Sequence, residues 1–198
     1  MNDSNEELIL KRISHRVEIL RENPDYIVSM VISIAEILAN SIKSGNKLMF
    51  CGNGGSAAES QHMAAEYCAT LDHRKPRAGM PAMSLTTDTS LITAWSNDFG
   101  FEGIFTRQIE TLGSEGDILI AYSTSGSSKN ICMAAETAKD KGIGVVGFTG
   151  NHENMPLENL ADISFKAPSK ETPIIQEIHT IVGHEVCSNV ERILFDFK

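Results

Sequence analysis

Two segments place glycine and hydroxyl residues directly after a short apolar run. The first is Gly52-Asn53-Gly54-Gly55-Ser56-Ala57-Ala58, which follows Leu48-Met49-Phe50-Cys51. The second is Ser123-Thr124-Ser125-Gly126-Ser127-Ser128-Lys129-Asn130, which follows Ile118-Leu119-Ile120-Ala121-Tyr122. Each runs into a helix-forming stretch. Backbone N–H groups and the positive end of a helix dipole then face one spot, which suits a phosphate. The hydroxyls of Ser123, Thr124, Ser125 and Ser128 would add donors. A serine before a helix is often only a cap, but five Ser/Thr in the six residues 123–128 exceed what capping requires. The first loop also resembles a degenerate dinucleotide fingerprint, with Asp72 twenty residues beyond Gly52. Asp72 does not end a second apolar strand, so dinucleotide binding is not expected. No Gly-Lys-Ser/Thr follows the loop, so it is no Walker loop.

The helix after the first loop carries His62 and Glu66 at i,i+4, on one face about a turn apart. The last helix carries Gln176, Glu177, His179 and His184. Gln176 and His184 face similar directions, but eight residues of helix separate them by about 12 Å. One metal could meet both only through long side chains reaching toward each other, or through a bend. His179 is the rival ligand. Spacing alone leaves a metal site, an acid–base site and a solvated helix face all open.

The elements that must position these residues follow from periodicity. Apolar residues at helical spacing predict helices over 5–22 and 25–43, the second carrying Ile27, Met30, Val31, Ile34, Leu38 and Ile42 and stopping at Gly45. Short apolar runs predict strands at Leu48–Cys51, Pro81–Leu85, Ile118–Tyr122, Val145–Thr149 and Ile163–Phe165. Helices are expected over Ala57–Ala69, Lys129–Lys141 and Pro173–Phe195, and 150–160 reads as a loop. Buried strands alternating with helices mean a largely parallel sheet covered on both faces, an α/β chain in three layers. No linker or repeat divides it, so residues 1–198 read as one domain. The helical pair at about 5–43 has more apolar stripe than one sheet face can cover, and is expected to bind other copies of the chain.

With 17 basic and 26 acidic residues the formal charge is −9. Bulk electrostatics therefore oppose nonspecific binding to nucleic acid or anionic membranes. An anionic ligand must be held by local donors. Cys51, Cys68, Cys132 and Cys187 form no CxxC, which fits reduced thiols in a cytoplasmic chain. The first residues show no basic or apolar region of a signal peptide. The stretch Ile27–Ile42 contains Glu36 and polar residues and is expected to fall short of a membrane span.

Taken in order, Gly52-Asn53-Gly54-Gly55-Ser56-Ala57, His62-x-x-x-Glu66, Ser96-Asn97-Asp98-Phe99-Gly100, Ser123-Thr124-Ser125-Gly126 and Ile175-Gln176-Glu177-x-His179 resemble the sugar isomerase (SIS) superfamily. The resemblance spans nearly the whole chain. Within that superfamily it points to isomerases that interconvert sedoheptulose 7-phosphate and D-glycero-D-manno-heptose 7-phosphate, which supply heptose for envelope polysaccharide, capsule or other products. It implies a three-layer α/β/α fold and a homotetramer with active sites at subunit contacts. It implies one zinc per subunit on His62, Glu66, Gln176 and His184, with Glu66 and His184 as the acid–base pair. Phosphate would rest on Ser123, Thr124, Ser125 and Ser128, and Asn53, Gly54, Ser56, Asp98 and Gln176 would line the substrate site. The chain departs from the family after the His-x-x-x-Glu helix. An arginine expected there is replaced by Ala69-Thr70-Leu71, and the nearest arginine is Arg74, so either Arg74 substitutes for it or the substrate differs. The rival reading is a noncatalytic SIS domain that senses a sugar phosphate or binds a partner in the manner of a replication-initiation regulator. Such relatives lack the acidic residue that Glu66 supplies here.

Overall fold

Five strands, β1 (Leu48–Cys51), β2 (Ala82–Ser84), β3 (Ile118–Ser123), β4 (Gly144–Thr149) and β5 (Ile163–Lys166), form one sheet in the order β2-β1-β3-β4-β5. Every pair is parallel. The structure is a computed structural model and describes residues 4–195. Side chains alternate across a strand, and here the alternation divides two cores. Leu48, Phe50, Ile118, Ile120, Tyr122, Val146 and Phe148 enter one. Met49, Cys51, Leu119, Ala121 and Val145 enter the other.

Helices α2 (Pro24–Lys43), α3 (Gly55–Cys68) and α8 (Thr172–Phe195) cover the first face, through residues such as Ile34, Leu38, Met63, Tyr67, Ile178 and Val186. Helices α5 (Ile104–Leu112), α6 (Lys129–Asp140) and α7 (Pro156–Leu160) cover the second, through Phe105, Ile109, Ile131, Ala135 and Leu157. The result is the three-layer α/β fold expected, with a sheet that is wholly parallel among the described strands.

At the N-terminus α1 (Asn5–Glu22) opens on a capping box in which Ser4 and Glu7 bond each other's backbone N–H. Arg16 of α1 makes a two-pronged ion pair with Glu177 of α8, at 2.5 and 3.3 Å. Helix α2 begins with proline in its first turn and is followed by Gly45 at φ +86°, the stop the sequence predicts. By length and composition α2 is apolar enough to cross a membrane, contrary to the expectation from its polar residues. In this fold its buried face (Val31, Ile34, Ala35, Leu38) packs into the first core.

Three helices escaped the periodicity reading. Helix α4 (Thr89–Phe99) has no fully buried residue, Ile92 and Trp95 being only partly buried against the second core. Helix α5 follows a 3-10 turn at Phe101–Gly103 and has only nine residues in which to show its own. The stretch 150–160, expected to be loop, ends in the one-turn helix α7, which Pro156 starts.

His179 belongs to the core. It is 1% exposed and packs against Tyr122, Phe148 and Phe165. Its Nε2 lies 3.0 Å from the Thr149 carbonyl, the geometry of an N–H donating to that oxygen. Burial pushes its pKa down from 6.5 to about 4, the carbonyl bond opposing the shift only in part. The unfolded chain therefore takes up a proton between about pH 6.5 and pH 4 while the folded chain does not. Stability falls with pH through that window, by up to about 1.4 kcal/mol per pH unit. Urea unfolding of wild type and His179→Gln across pH 7 to 4 should show the wild-type advantage shrinking as pH falls; a constant gap contradicts a buried neutral imidazole.

Candidate active site

Strand β1 sits between β2 and β3, so the chain leaves it toward one edge and later returns on its other side. In a parallel sheet ligands bind where the order reverses, beyond the carboxyl ends of the strands. Cys51 pairs in register with Ala121, which brings the two glycine- and hydroxyl-rich loops side by side at that point. Asn53 and Asn130 tie them together with two reciprocal amide bonds of 2.9 Å. Asn130 is buried, and the sequence marked it only as the end of a loop.

In the second loop Ser128 occupies the N-cap of α6 but makes no side-chain cap bond. Its hydroxyl instead accepts from Ser123, at 3.1 Å, and Ser123 also lies 3.5 Å from the Ser125 hydroxyl. The Ser127 hydroxyl donates to Ser125 at 3.1 Å. Serines that merely capped a helix would point at its amides. These converge on one another at the start of α6, and Ser125 and Ser123 also accept from the N–H groups of Ser127 (3.3 Å) and Ser128 (3.4 Å), just before the first turn whose N–H groups lack intrahelical partners. Gly126 turns the loop at φ +66°, and a Cβ there would come within 2.6 Å of Met155. In the first loop Gly54 stands at φ +56° and Ser56 is buried in the first turn of α3. Asp98 is exposed near the end of α4 and accepts from Asn97 at 2.7 Å. The turn after it is held to the start of α6 by a Glu102–Lys129 ion pair.

Helices α3 and α8 cross so that His62, Glu66 and His184 meet. Their ligating atoms all lie within 4.8 Å of one another. His62 Nε2 is 3.3 Å from Glu66 Oε1 and 3.3 Å from His184 Nε2. Two ligands about 2.0–2.1 Å from one tetrahedral ion stand about 3.3–3.4 Å apart. The spacing and the donors, two imidazoles and a carboxylate, therefore fit a zinc-sized ion. Gln176 lies two turns back along α8. Its side chain crowds Gly55, where a Cβ would come within 2.5 Å of Nε2. Together with Ser56, Glu59 and Thr180 it lines a cavity of about 280 Å³. His179, the rival on α8, turns into the core with its Nε2 toward Thr149.

Two residues that the sequence reading passed over support this constellation. Glu59, one turn before His62, accepts a 2.8 Å bond from Thr180 of α8. Arg77 is 1% exposed in its side chain and pairs with Glu191 at 2.7 Å. It also donates to the carbonyls of Glu66 (2.7 Å) and Tyr67 (2.8 Å), the last turn of α3. A cation at that helix end satisfies orphan carbonyls and suits the dipole. Arg74, nominated from the sequence as the substitute arginine, is instead exposed and bound to Asp72. Its side chain is spent on a local turn, and the buried arginine three residues on could not be told from it by sequence.

The SIS domain family matches residues 17–150. A phosphoheptose isomerase from Roseiflexus is 42% identical over 98% of both chains. The chain belongs to the phosphoheptose isomerase family of SIS-domain proteins. Solved structures agree. The phosphoheptose isomerase from Francisella tularensis has TM-score 0.90 and 30% identity over 96% of this chain and 100% of that one. The Neisseria gonorrhoeae phosphoheptose isomerase has TM-score 0.87 and 31% identity over 95% and 99%. As a member of this family the chain is an isomerase, and the noncatalytic regulator is set aside.

Arg77 carries the prediction that follows from this geometry. Arg77→Ala leaves Glu191 buried and unpaired and should destabilise the fold by about 3–5 kcal/mol. Urea unfolding at neutral pH measures it, and a loss below about 1 kcal/mol would mean that the pair does not hold the end of α3.

Proposed function

We propose that the chain interconverts sedoheptulose 7-phosphate and D-glycero-D-manno-heptose 7-phosphate by moving a proton between adjacent carbons through an enediolate. The observation that carries this reading is the meeting of His62, Glu66 and His184 where α3 and α8 cross. Family membership supplies the sugar-phosphate class of substrate.

Each residue then has a task. Ser123, Thr124, Ser125 and Ser128, with the N-terminus of α6, hold the phosphate through hydroxyl and amide donors rather than through basic side chains. Asn53, Gly54, Ser56, Asp98 and Gln176 orient the sugar. A zinc ion, one per subunit, would rest on His62, Glu66 and His184 with Gln176 completing the set, and when bound it would polarise the substrate oxygens. Glu66 has two oxygens. Oε1 faces His62, which leaves Oε2 to take a proton from the carbon beside the carbonyl and return it to the neighbouring carbon. His184 serves the oxygen on which charge develops.

The assembly in this reading is a homotetramer in the cytoplasm, with residues 1–198 as one domain. Its support is α1, whose Leu8, Ile9, Leu10, Ile13 and Val17 are all exposed in the single chain, and four cysteines that are free. A second copy would cover such a face.

Glu66→Gln keeps the size and an acceptor oxygen but removes the base. Turnover of sedoheptulose 7-phosphate should fall by about 10²–10⁴ while sugar-phosphate binding survives; near-normal turnover sinks the mechanism. Ser125→Ala with Ser128→Ala removes two bonds to the phosphate dianion. KM should rise roughly ten- to a hundredfold per hydroxyl, from about 1.5–3 kcal/mol each. An unchanged KM in steady-state kinetics would remove the serine loop from the phosphate site.

A further inference from the structure

Glu59 is a carboxylate held in an unusual way for a helix residue beside a cavity. Its side chain is 11% exposed. Oε2 accepts the Thr180 hydroxyl at 2.8 Å and lies 3.8 Å from His62 Nδ1. Oε1 is buried with no hydrogen-bond partner. It faces Gly183 of α8, where a Cβ would come within 3.5 Å of it. A buried carboxylate oxygen left unpaired costs free energy and calls for a reason.

His62 provides one. Its Nε2 is the atom that faces Glu66 Oε1 and His184 Nε2. For that atom to present a lone pair to an ion, the ring proton must sit on Nδ1. The oxygen facing Nδ1 is Glu59 Oε2. A carboxylate behind a ligating imidazole fixes the ring's tautomer and direction and strengthens it as a ligand. Thr180 latches that carboxylate from the opposite helix, so it cannot swing to solvent.

We infer that Glu59 is a positioning residue for His62, its carboxylate holding Nδ1 protonated and Nε2 turned toward the ion, with Thr180 fixing the carboxylate. The inference rests on the metal reading of the His62–Glu66–His184 cluster. It concerns a residue outside that set, one that acts through His62.

The experiment compares zinc affinity, by competition with a chromogenic chelator, in wild type, Glu59→Met, Glu59→Gln and Thr180→Val. Melting temperatures of the zinc-free proteins and kcat and KM at limiting zinc are measured alongside. Glu59→Met keeps the length but removes every acceptor, and should weaken zinc binding about 10–100-fold. Glu59→Gln keeps an acceptor without the charge and should fall between Met and wild type. Thr180→Val should weaken binding less than Glu59→Met. The activity loss should appear in kcat at limiting zinc, recover at saturating zinc, and leave KM unmoved. Wild-type zinc affinity in both Glu59 variants overturns the inference, as does a lower melting temperature with unchanged affinity, which marks Glu59 as a helix–helix clamp only. Should Glu59→Met not fold, the Gln and Val variants decide alone. A wild-type protein that takes up no zinc overturns the metal reading itself, and this inference with it.

Discussion

The meeting of His62, Glu66 and His184 depends on the packing of α3 against α8, and Gly183 lies in that contact. A Cβ at Gly183 would come within 2.7 Å of Met63 Sδ, inside the first core. Glycine within a helix costs about 0.5–1 kcal/mol relative to alanine. Here the absent side chain leaves room for the Met63 side chain one residue before His184. His62 and Glu66 come from one helix and His184 from the other, so the cluster exists only where the two helices pack together. The Thr180–Glu59 bond and the Arg77 clamp act on the same pair of elements from either end. The first core beneath, with Tyr67, Tyr122 and Phe148, is the platform on which the two helices rest.

The phosphate cradle depends on a different constraint, the order of the strands. Only because β1 and β3 are neighbours do two loops separated by some seventy residues of chain share an edge. The Asn53–Asn130 pair then fixes one loop against the other. Helix packing thus brings together the proposed reacting groups, and sheet topology the loops proposed to hold the phosphate. The cavity lined by Ser56, Glu59 and Gln176 lies where the two systems adjoin.

Sequence reading reached the elements whose burial leaves a plain mark on the letters. Strands β1, β3 and β4 announce themselves as short apolar runs buried almost throughout, and helix α2 through the helical spacing of its buried face. Helix α4 does not, since none of its residues is fully buried and Ile92 and Trp95 rest only partly against the second core. Among site residues, His62 and Glu66 could be paired from local spacing, because both belong to one helix. Their meeting with His184 could not, since a crossing of helices leaves no local signature; family resemblance supplied it. Residues that hold others in place were the least legible. Glu59 and Arg77 look like ordinary surface charges in a string of letters. Their burial, and hence their importance, is created by elements more than a hundred residues away.

The choice of hydroxyls for the anion site has a consequence for encounter. The chain carries a formal charge of −9, and the substrate proposed for it is itself a dianion. Long-range forces therefore push the two apart, while the short-range donors at the α6 N-terminus act only on contact. Added salt screens the repulsion over distances of about 10 Å at 0.1 M and leaves sheltered hydroxyl contacts nearly untouched. Capture of the sugar phosphate should accordingly quicken with ionic strength, opposite to the behaviour of an enzyme that draws anions with lysine and arginine.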